Sequence, residues 1–176
     1  MHLKSLALAV FLAAPIAAQA EDFDLKASIT RGQPIYLQTC IACHQPTGMG
    51  LPGAFPPLGG SEYATGNPRR MVAMMLKGLQ GPLTVKGVTY NNIMLALDLQ
   101  FPILKDDAKV ADVVNYVRNS FGNTSAEAVT PALVTEVRAK WASKATPFTE
   151  AEVKEWKEDA APAATASAAS AAASAK

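Results

Sequence analysis

The chain has 176 residues, with 16 lysine or arginine and 15 aspartate or glutamate side chains and a formal net charge of +1. A nucleic-acid-binding protein usually carries a clear excess of basic residues, so this balance argues against that class. The length allows one modest domain with additional segments.

The first 20 residues have the organisation of a secretory signal peptide. Lys4 lies near the start, an apolar stretch covers residues 6–18, and the small-residue site AQA at 18–20 precedes Glu21. The apolar stretch is too short and wrongly flanked for a membrane span, so we expect cleavage before Glu21. Removal of these 20 residues from the 176 leaves 156 with no other long apolar run. We expect a soluble product in the periplasm or its equivalent.

The first predicted helix leads into the most informative motif of the chain. Thr30 and Gln33 resemble a capping box that opens this helix, and Pro34 falls in its first turn, where a missing amide costs least. The helix is predicted to run into residues 40–44, which read CIACH. Two cysteines three positions apart, with a histidine directly after the second, are the attachment signature of a c-type haem.

The chemistry of haem attachment explains the spacing of this motif. Each thiol can add to one vinyl group of the porphyrin, and two intervening residues let Cys40 and Cys43 reach neighbouring vinyl groups. His44 then lies beneath the iron, where a ring nitrogen can serve as the proximal ligand. The motif therefore predicts one covalently bound haem c per chain.

Three other interpretations of the motif are a disulfide, a thioredoxin-like redox pair and half of a zinc site. The chain has no further cysteine, and His44 is the only histidine after the predicted cleavage site, so a four-ligand zinc cluster lacks ligands. A thioredoxin-like pair needs a βαβ context, which the sequence does not show. In an exported chain of this kind, we expect the cysteines to be consumed by haem rather than paired.

Beyond the motif, the sequence predicts helices joined by long loops. Residues 45–60 are rich in glycine and proline and indicate a loop. Asn67-Pro68 supplies an N-cap and a first-turn proline to a helix over 69–80, whose apolar residues follow helical spacing. Residues 86–101 indicate another loop-like region with one short apolar run.

A further helix is predicted to begin at Asp106 or Asp107 and to end near Gly122, with four valines at helical spacing. No segment of the chain shows sustained alternation of apolar and polar residues, so we expect no sheet. The fold class predicted from these elements is all-α.

A C-terminal extension is predicted to contain two more helices. Thr130-Pro131 is suited to cap and start the first, and Thr149 with Glu152 forms a candidate capping box for the second. Both tryptophans of the chain, Trp141 and Trp156, lie in this extension. Exposure of two tryptophans would be unfavourable, so the extension should pack on its own core or against a partner subunit, with its own core favoured.

Residues 28–123 resemble the monohaem class I cytochromes c, in particular bacterial ones that exchange electrons with periplasmic dehydrogenases and terminal enzymes. The resemblance rests on the CIACH motif and on Gly32, Tyr36, GMG at 48–50, PPL at 56–58, YNNIM at 90–94, DVVNYVR at 112–118 and FGN at 121–123. In this family, the first and last helices cross at a glycine against an aromatic residue. Gly32 and Tyr116 fit that contact, because a residue without Cβ permits close backbone approach.

The sixth iron ligand decides the chemistry of such a haem. Five methionines follow the predicted cleavage site and offer a thioether: Met49, Met71, Met74, Met75 and Met94. Met71 and Met75 lie on the apolar stripe of a predicted helix and are expected in the core. Met49 is too near His44 along the chain to cross easily to the opposite face of the haem.

The resemblance implies that Met94 is the distal ligand. Met94 comes 50 residues (94 minus 44) after His44, in a loop before the last core helix, where the family's distal methionine is found. The sequence departs from the family pattern in one respect, because Leu95 follows where a proline is frequent. Met74 is the main rival to Met94.

The resemblance also implies residues that tune the site. A backbone carbonyl at Pro56 is expected to accept a hydrogen bond from the proximal imidazole, and Leu58 is expected to pack on the porphyrin. Tyr63, Arg70 and Tyr90 are candidate partners for the haem propionates, with ordinary surface positions as the alternative.

The predicted organisation is a signal peptide at 1–20, a cytochrome c domain at 21–123, a helical extension at 124–159 and a disordered Ala/Ser-rich tail at 160–176. The predicted function is that of an electron carrier rather than an enzyme. It would pass single electrons from a periplasmic dehydrogenase to an oxidase or reductase. Two alternatives remain open: a haem with an open or labile sixth position that binds gases or acts as a peroxidase, and a permanent cytochrome subunit of a dehydrogenase.

Overall fold

A computed structural model of the protein describes residues 23–156, so the predicted signal peptide and the Ala/Ser-rich tail lie outside the described residues. The described part is mainly helical, with one small hairpin. Its elements are α1 (Leu25–Thr39), α2 (Ile41–His44), α3 (Glu62–Thr65), α4 (Pro68–Lys77), β1 (Pro82–Val85), β2 (Val88–Asn91), α5 (Leu97–Gln100), a 3₁₀ helix (Pro102–Lys105), α6 (Asp107–Arg118), α7 (Pro131–Lys140) and α8 (Glu150–Lys154).

Helix α1 begins earlier than the sequence predicts. Its N-cap is Asp24, whose side chain accepts a hydrogen bond of 2.9 Å from the Ala27 amide. The capping box predicted at Thr30 is wrong, because Thr30 lies inside the helix and its hydroxyl donates to the Lys26 carbonyl at 3.1 Å. Pro34 consequently sits in the helix interior.

Helices α1 and α6 cross at Gly32, which confirms the predicted contact with Tyr116. A Cβ added to Gly32 would overlap the carbonyl oxygen of Asp112 and lie 2.6 Å from Cβ of Tyr116. The same crossing carries a buried polar cluster. Asp112 accepts from the Ser28 hydroxyl at 2.7 Å and from two guanidinium nitrogens of Arg31 at 2.9 and 2.8 Å. These contacts hold the first turns of α1 against α6.

The predicted caps of α4 and α6 are confirmed, although both helices end earlier than expected. Asn67 accepts from the Arg69 amide at 2.8 Å, and Asp106 accepts from the Ala108 amide at 2.8 Å. Helix α4 ends at Lys77, because Gly78 adopts a φ of +81° that breaks the helical path.

Strands β1 and β2 form an antiparallel hairpin, so the expectation of no sheet is wrong for this segment. Pro82 pairs with Asn91 and Val85 with Val88. The two residues between the strands, Lys86 and Gly87, have φ values of +51° and +79°. Positive φ at both central positions is the backbone of the two-residue turn that fits hairpins best. With four residues in each strand, the alternation is too short to stand out in the sequence.

The C-terminal extension docks on the core of its own chain. Thr130 caps α7, and the Thr149–Glu152 capping box opens α8, as predicted. Phe148, which is 1% exposed, packs edge-on against the rings of Trp141 and Trp156 at centroid distances of 4.9 and 5.7 Å. Helix α7 packs against α4 and α6, so the extension covers one side of the helical core. Within residues 23–156, no helix combines the length and apolar character needed to cross a bilayer.

Candidate functional site

An apolar cleft lies between the CIACH segment, the proline-rich loop, helix α4, the hairpin and the loop that carries Met94. Its empty volume is about 1130 Å³, including space open to solvent. Ligand pockets commonly enclose roughly 300–1,000 Å³, so the cleft is suited to a large organic group. Eight of the nine predicted site residues line it: Cys40, Cys43, His44, Pro56, Leu58, Tyr63, Tyr90 and Met94.

The two cysteines of the motif lie at the cleft on one short helical segment. The His44 amide donates to the Cys40 carbonyl at 3.0 Å, and the Cys43 amide donates to the same oxygen at 3.3 Å. In such a turn, residues three apart lie on the same face, so both thiols point to one side. Both are free cysteines, and Cys43 is exposed. Burial raises the pKa of the Cys40 thiol to about 11.

His44 is held by the proline-rich loop. Its Nδ1 lies 3.0 Å from the carbonyl oxygen of Pro56, which can only accept, so Nδ1 carries the proton. Nε2 then keeps its lone pair for a metal. Burial lowers the pKa of His44, against the opposing effect of the Pro56 hydrogen bond, and this favours the neutral ring that a metal ligand requires.

Short backbone contacts fold the proline-rich loop over His44. The Leu58 amide donates to the Gly48 carbonyl at 2.7 Å, and the Gly50 amide donates to the His44 carbonyl at 3.0 Å. Gly50 has a φ of +66°, and a Cβ at this position would overlap the Phe55 carbonyl and lie 2.6 Å from the Pro56 carbonyl oxygen. Only glycine therefore lets the loop approach this closely.

Met94 enters the cleft from a segment that pairs with the chain just after α4. The Leu79 amide donates to the Met94 carbonyl at 2.8 Å, and the Met94 amide donates to the Leu79 carbonyl at 2.9 Å. A Cβ on Gly78 would overlap the Met94 carbonyl oxygen, so the two segments touch at their backbones. This pairing fixes the position of the Met94 backbone at the edge of the cleft.

The structure brings more than one methionine to the cleft. Met74, the rival candidate, is buried and lines it, as do Met71 and Met75 from the same helix. Met49 is 56% exposed and lies outside the lining. The thioethers within reach of a bound group therefore come from α4 and from Met94.

Arg70 is the one predicted site residue that lies outside the cleft lining. Its guanidinium carbon lies 4.9 Å from the ring centroid of Tyr63, which does line the cleft. The same guanidinium donates to the Glu62 carbonyl at 2.7 Å and to the Val153 carbonyl at 3.4 Å. Arg70 thus joins α3 to the C-terminal extension.

Sequence reasoning missed the contribution of the hairpin to the cleft. Leu83 and Val85 of β1 are buried and line the cleft together with Tyr90 of β2. The available signal was Gly87 between two short stretches with β-branched residues, because a two-residue hairpin turn needs positive φ and glycine adopts it readily. Once the hairpin is recognised, alternate residues on each strand must share its inner face.

The donor set of the cleft fits a covalently attached haem. Two free thiols lie on one face, a neutral imidazole keeps one nitrogen unprotonated, and thioethers line the same apolar cleft. This combination defines the class of protein as a c-type haem protein.

Comparison with known proteins agrees with this class. The cytochrome c family model matches residues 29–121. Cytochrome c-552 from Thermus thermophilus is 38% identical over 121 residues, which cover 66% of this chain and 88% of that protein. The chain therefore belongs to the cytochrome c family, whose members carry covalently attached haem c, and its mainly helical fold is that of the monohaem class I members.

Subunits of dehydrogenases are also similar to this chain. The cytochrome c subunit of a quinone alcohol dehydrogenase from Gluconacetobacter polyoxogenes is 32% identical over 111 residues, or 61% of this chain. The cytochrome c subunit of gluconate 2-dehydrogenase from Pantoea cypripedii is 30% identical over 109 residues, again 61% of this chain. The aligned parts are only 22% and 24% of those subunits, so the chain spans about a quarter of their length.

Proposed function

We propose that the protein is a periplasmic electron carrier with one haem c, bound through Cys40 and Cys43 and ligated axially by His44 and Met94. The observation that carries this proposal is the apolar cleft lined by both His44 and Met94, with Nδ1 of His44 engaged by Pro56 and Nε2 unprotonated. Its organisation would be the predicted one, a domain at 21–123 with an extension at 124–159.

Each residue of the site has a defined task in this proposal. Cys40 and Cys43 anchor the haem, which supplies a one-electron couple between ferrous and ferric iron. Pro56 orients His44 and raises its basicity as a ligand through the hydrogen bond to Nδ1. The soft thioether of Met94 favours ferrous iron and raises the potential relative to two nitrogen ligands. Leu58 would pack on the porphyrin, and Tyr63, Arg70 and Tyr90 remain the candidate partners for the haem propionates.

A filled sixth position favours electron transfer over the binding of gases or peroxide. The backbone pairing of Met94 with Leu79 supports this choice, since it holds the thioether at the cleft without help from the proline that is absent at Leu95. With His44 and Met94 both bound, the haem would offer no open position to a substrate, and the protein would act as a carrier rather than an enzyme.

The donor in this proposal is a periplasmic dehydrogenase and the acceptor is an oxidase or a reductase. The similarity to dehydrogenase cytochrome subunits supports such a donor. A permanent complex with a dehydrogenase is the second candidate, on the same observation. The docking of Trp141 and Trp156 on the chain's own core favours a free carrier, because these side chains then need no partner to cover them.

Purification of the protein from the periplasm of its native host tests the proposal. We expect a mature chain that begins at Glu21, a reversible one-electron reduction and a ferrous form that does not bind carbon monoxide readily. Rapid carbon monoxide binding would favour the open-site alternative, and co-purification of a stoichiometric dehydrogenase would favour the permanent subunit. A start other than Glu21, or recovery in the membrane fraction, would contradict the predicted cleavage before Glu21.

A further inference from the structure

We propose that the C-terminal extension holds Met94 in place for the iron, with Phe148 and Arg138 as positioning residues. This inference rests on the proposed role of Met94 as the sixth ligand. It assigns to the extension a task at the redox centre, although Phe148 and Arg138 lie outside the cleft lining.

Phe148 reaches Met94 through the backbone of Leu79. The Phe148 amide donates to the Gly78 carbonyl at 3.0 Å, and the Gln80 amide donates to the Phe148 carbonyl at 2.8 Å. The opposite edge of the same stretch is occupied by Met94, paired in both directions with Leu79. Residues 78–80 therefore form the middle segment of a three-segment backbone ladder. The extension pairs with one edge of this segment, and the proposed iron ligand pairs with the other.

The position of the Phe148 backbone is fixed by its side chain. Phe148 is 1% exposed, and its ring contacts the rings of Trp141 and Trp156. The two tryptophan rings also contact each other, at a centroid distance of 5.4 Å. A large buried ring can leave such a site only at a substantial cost in hydrophobic free energy. The outer edge of the ladder is thus anchored in the extension.

Arg138 holds the C-terminal end of the Met94 segment, residues 94–98. Helix α5 starts at Leu97, three residues after Met94, and its Asp98 accepts a hydrogen bond of 2.6 Å from Nη1 of Arg138. Arg138 is itself fixed, because Nε donates to Asp107 at 2.9 Å and Nη2 donates to the Leu104 carbonyl at 3.0 Å. The pair is largely shielded, since Asp98 and Arg138 side chains are 17% and 30% exposed.

The two ties limit the movement that would release the thioether. Residues 94–98 are held by the ladder at Met94 and by the ion pair at Asp98, so this short segment cannot swing away from the cleft while both persist. An external ligand for ferric iron can bind only to the fraction of molecules in which Met94 has left. Its apparent affinity therefore reports that fraction directly.

The test is a titration of the ferric full-length holoprotein with imidazole. Binding is monitored through the loss of the far-red absorption band of the sulfur–iron bond. We expect Asp98→Ala and Phe148→Ala each to increase the apparent affinity for imidazole by roughly threefold to tenfold, because each raises the detached fraction. Carbon monoxide binding to the ferrous forms of both variants should increase as well.

The matched control for Asp98→Ala is Glu136→Ala. Glu136 accepts a hydrogen bond of 2.6 Å from Arg69, so this pair also joins α7 to the core but does so at α4 rather than at the Met94 segment. Leu133→Ala is the control for Phe148→Ala, since Leu133 is a buried residue of α7. We expect the apparent imidazole affinity of both control variants to stay within about twofold of the wild-type value. Test and control variants are compared at equal free energy of unfolding.

The inference fails if Asp98→Ala shows the wild-type affinity for imidazole, or if the controls raise the affinity as much as the test variants do. Asp98→Ala decides the question even if Phe148→Ala does not fold. Failure of the proposed function has a different signature: the wild type would lack the far-red band, or Met94→Ala would retain it.

Discussion

The carbonyl oxygen of Pro56 lies 3.0 Å from Nδ1 of His44 and fixes which imidazole nitrogen faces the cleft. His44 and Pro56 are twelve positions apart in sequence, and Gly50, without a Cβ, lets the intervening loop fold back this far. The orientation of the proposed proximal ligand therefore depends on a backbone contact made by a loop.

Gly50→Ala should weaken this contact. The new Cβ would overlap the Phe55 carbonyl and press on that of Pro56, so the loop must move away from His44. A less basic imidazole stabilises ferric iron less, and we expect the reduction potential to rise, as measured by redox titration. Gly53→Ala is the control, because Gly53 has a similar φ of +77° but its Cβ would meet nothing within 4 Å. Equal potentials for the two variants would contradict the prediction.

Met94→Ala should abolish the far-red band and lower the potential. If Met94 is the sixth ligand, loss of its thioether would leave a high-spin or water-ligated haem and remove the group that favours ferrous iron. Met74→Ala should leave the band intact and cost about 2–5 kcal/mol of stability, as expected for a buried methionine. Absorption spectra and redox titrations of both variants provide the measurement. The reverse pattern would transfer the role of ligand to Met74.

Cys40→Ala and Cys43→Ala should each reduce covalent attachment, because each removes one of the two thioether bonds to the haem. The wild type should retain haem through acid-acetone extraction, and its mass should exceed that of the mature polypeptide by one haem. His44→Ala should keep both thioether bonds and lose the low-spin spectrum, which separates attachment from ligation. A mature mass equal to that of the bare polypeptide would contradict haem attachment altogether.

Gly32→Ala should destabilise the protein although alanine is the better helix former. The propensity gain is about 1 kcal/mol, whereas overpacking against the Asp112 carbonyl and Tyr116 costs about 1–3 kcal/mol or more. Urea unfolding of the holoprotein should therefore show a net loss of stability. Thr30→Ala, at an exposed position of the same helix, should be neutral or slightly stabilising. A gain of stability in Gly32→Ala would contradict the crossing at Gly32.

Local signals in the sequence predicted what depends on neighbouring residues. The caps at Asn67, Asp106, Thr130 and Thr149 are correct, because an N-cap side chain bonds to an amide only two or three residues further on. The CIACH motif is local in the same sense, since the predicted attachment and proximal ligation use five adjacent residues.

Contacts between distant segments determined the other features of the fold and of the candidate site, and no local signal in the sequence indicates these contacts. Ser28 and Arg31 of α1 bind Asp112 on α6, and these contacts span more than 80 residues. Arg70 donates to the Glu62 and Val153 carbonyls, contacts that join α3 to the C-terminal extension.

The ladder from Phe148 through Leu79 to Met94 is the strongest case of this kind. It joins the extension to the candidate ligand segment through four backbone hydrogen bonds, and every non-proline residue carries the same backbone donor and acceptor. Sequence alone therefore determined the covalently attached haem c and the helix caps at Asn67, Asp106, Thr130 and Thr149. Only the tertiary structure decided which backbone lies beside Met94, because that choice depends on how the buried rings of the extension pack.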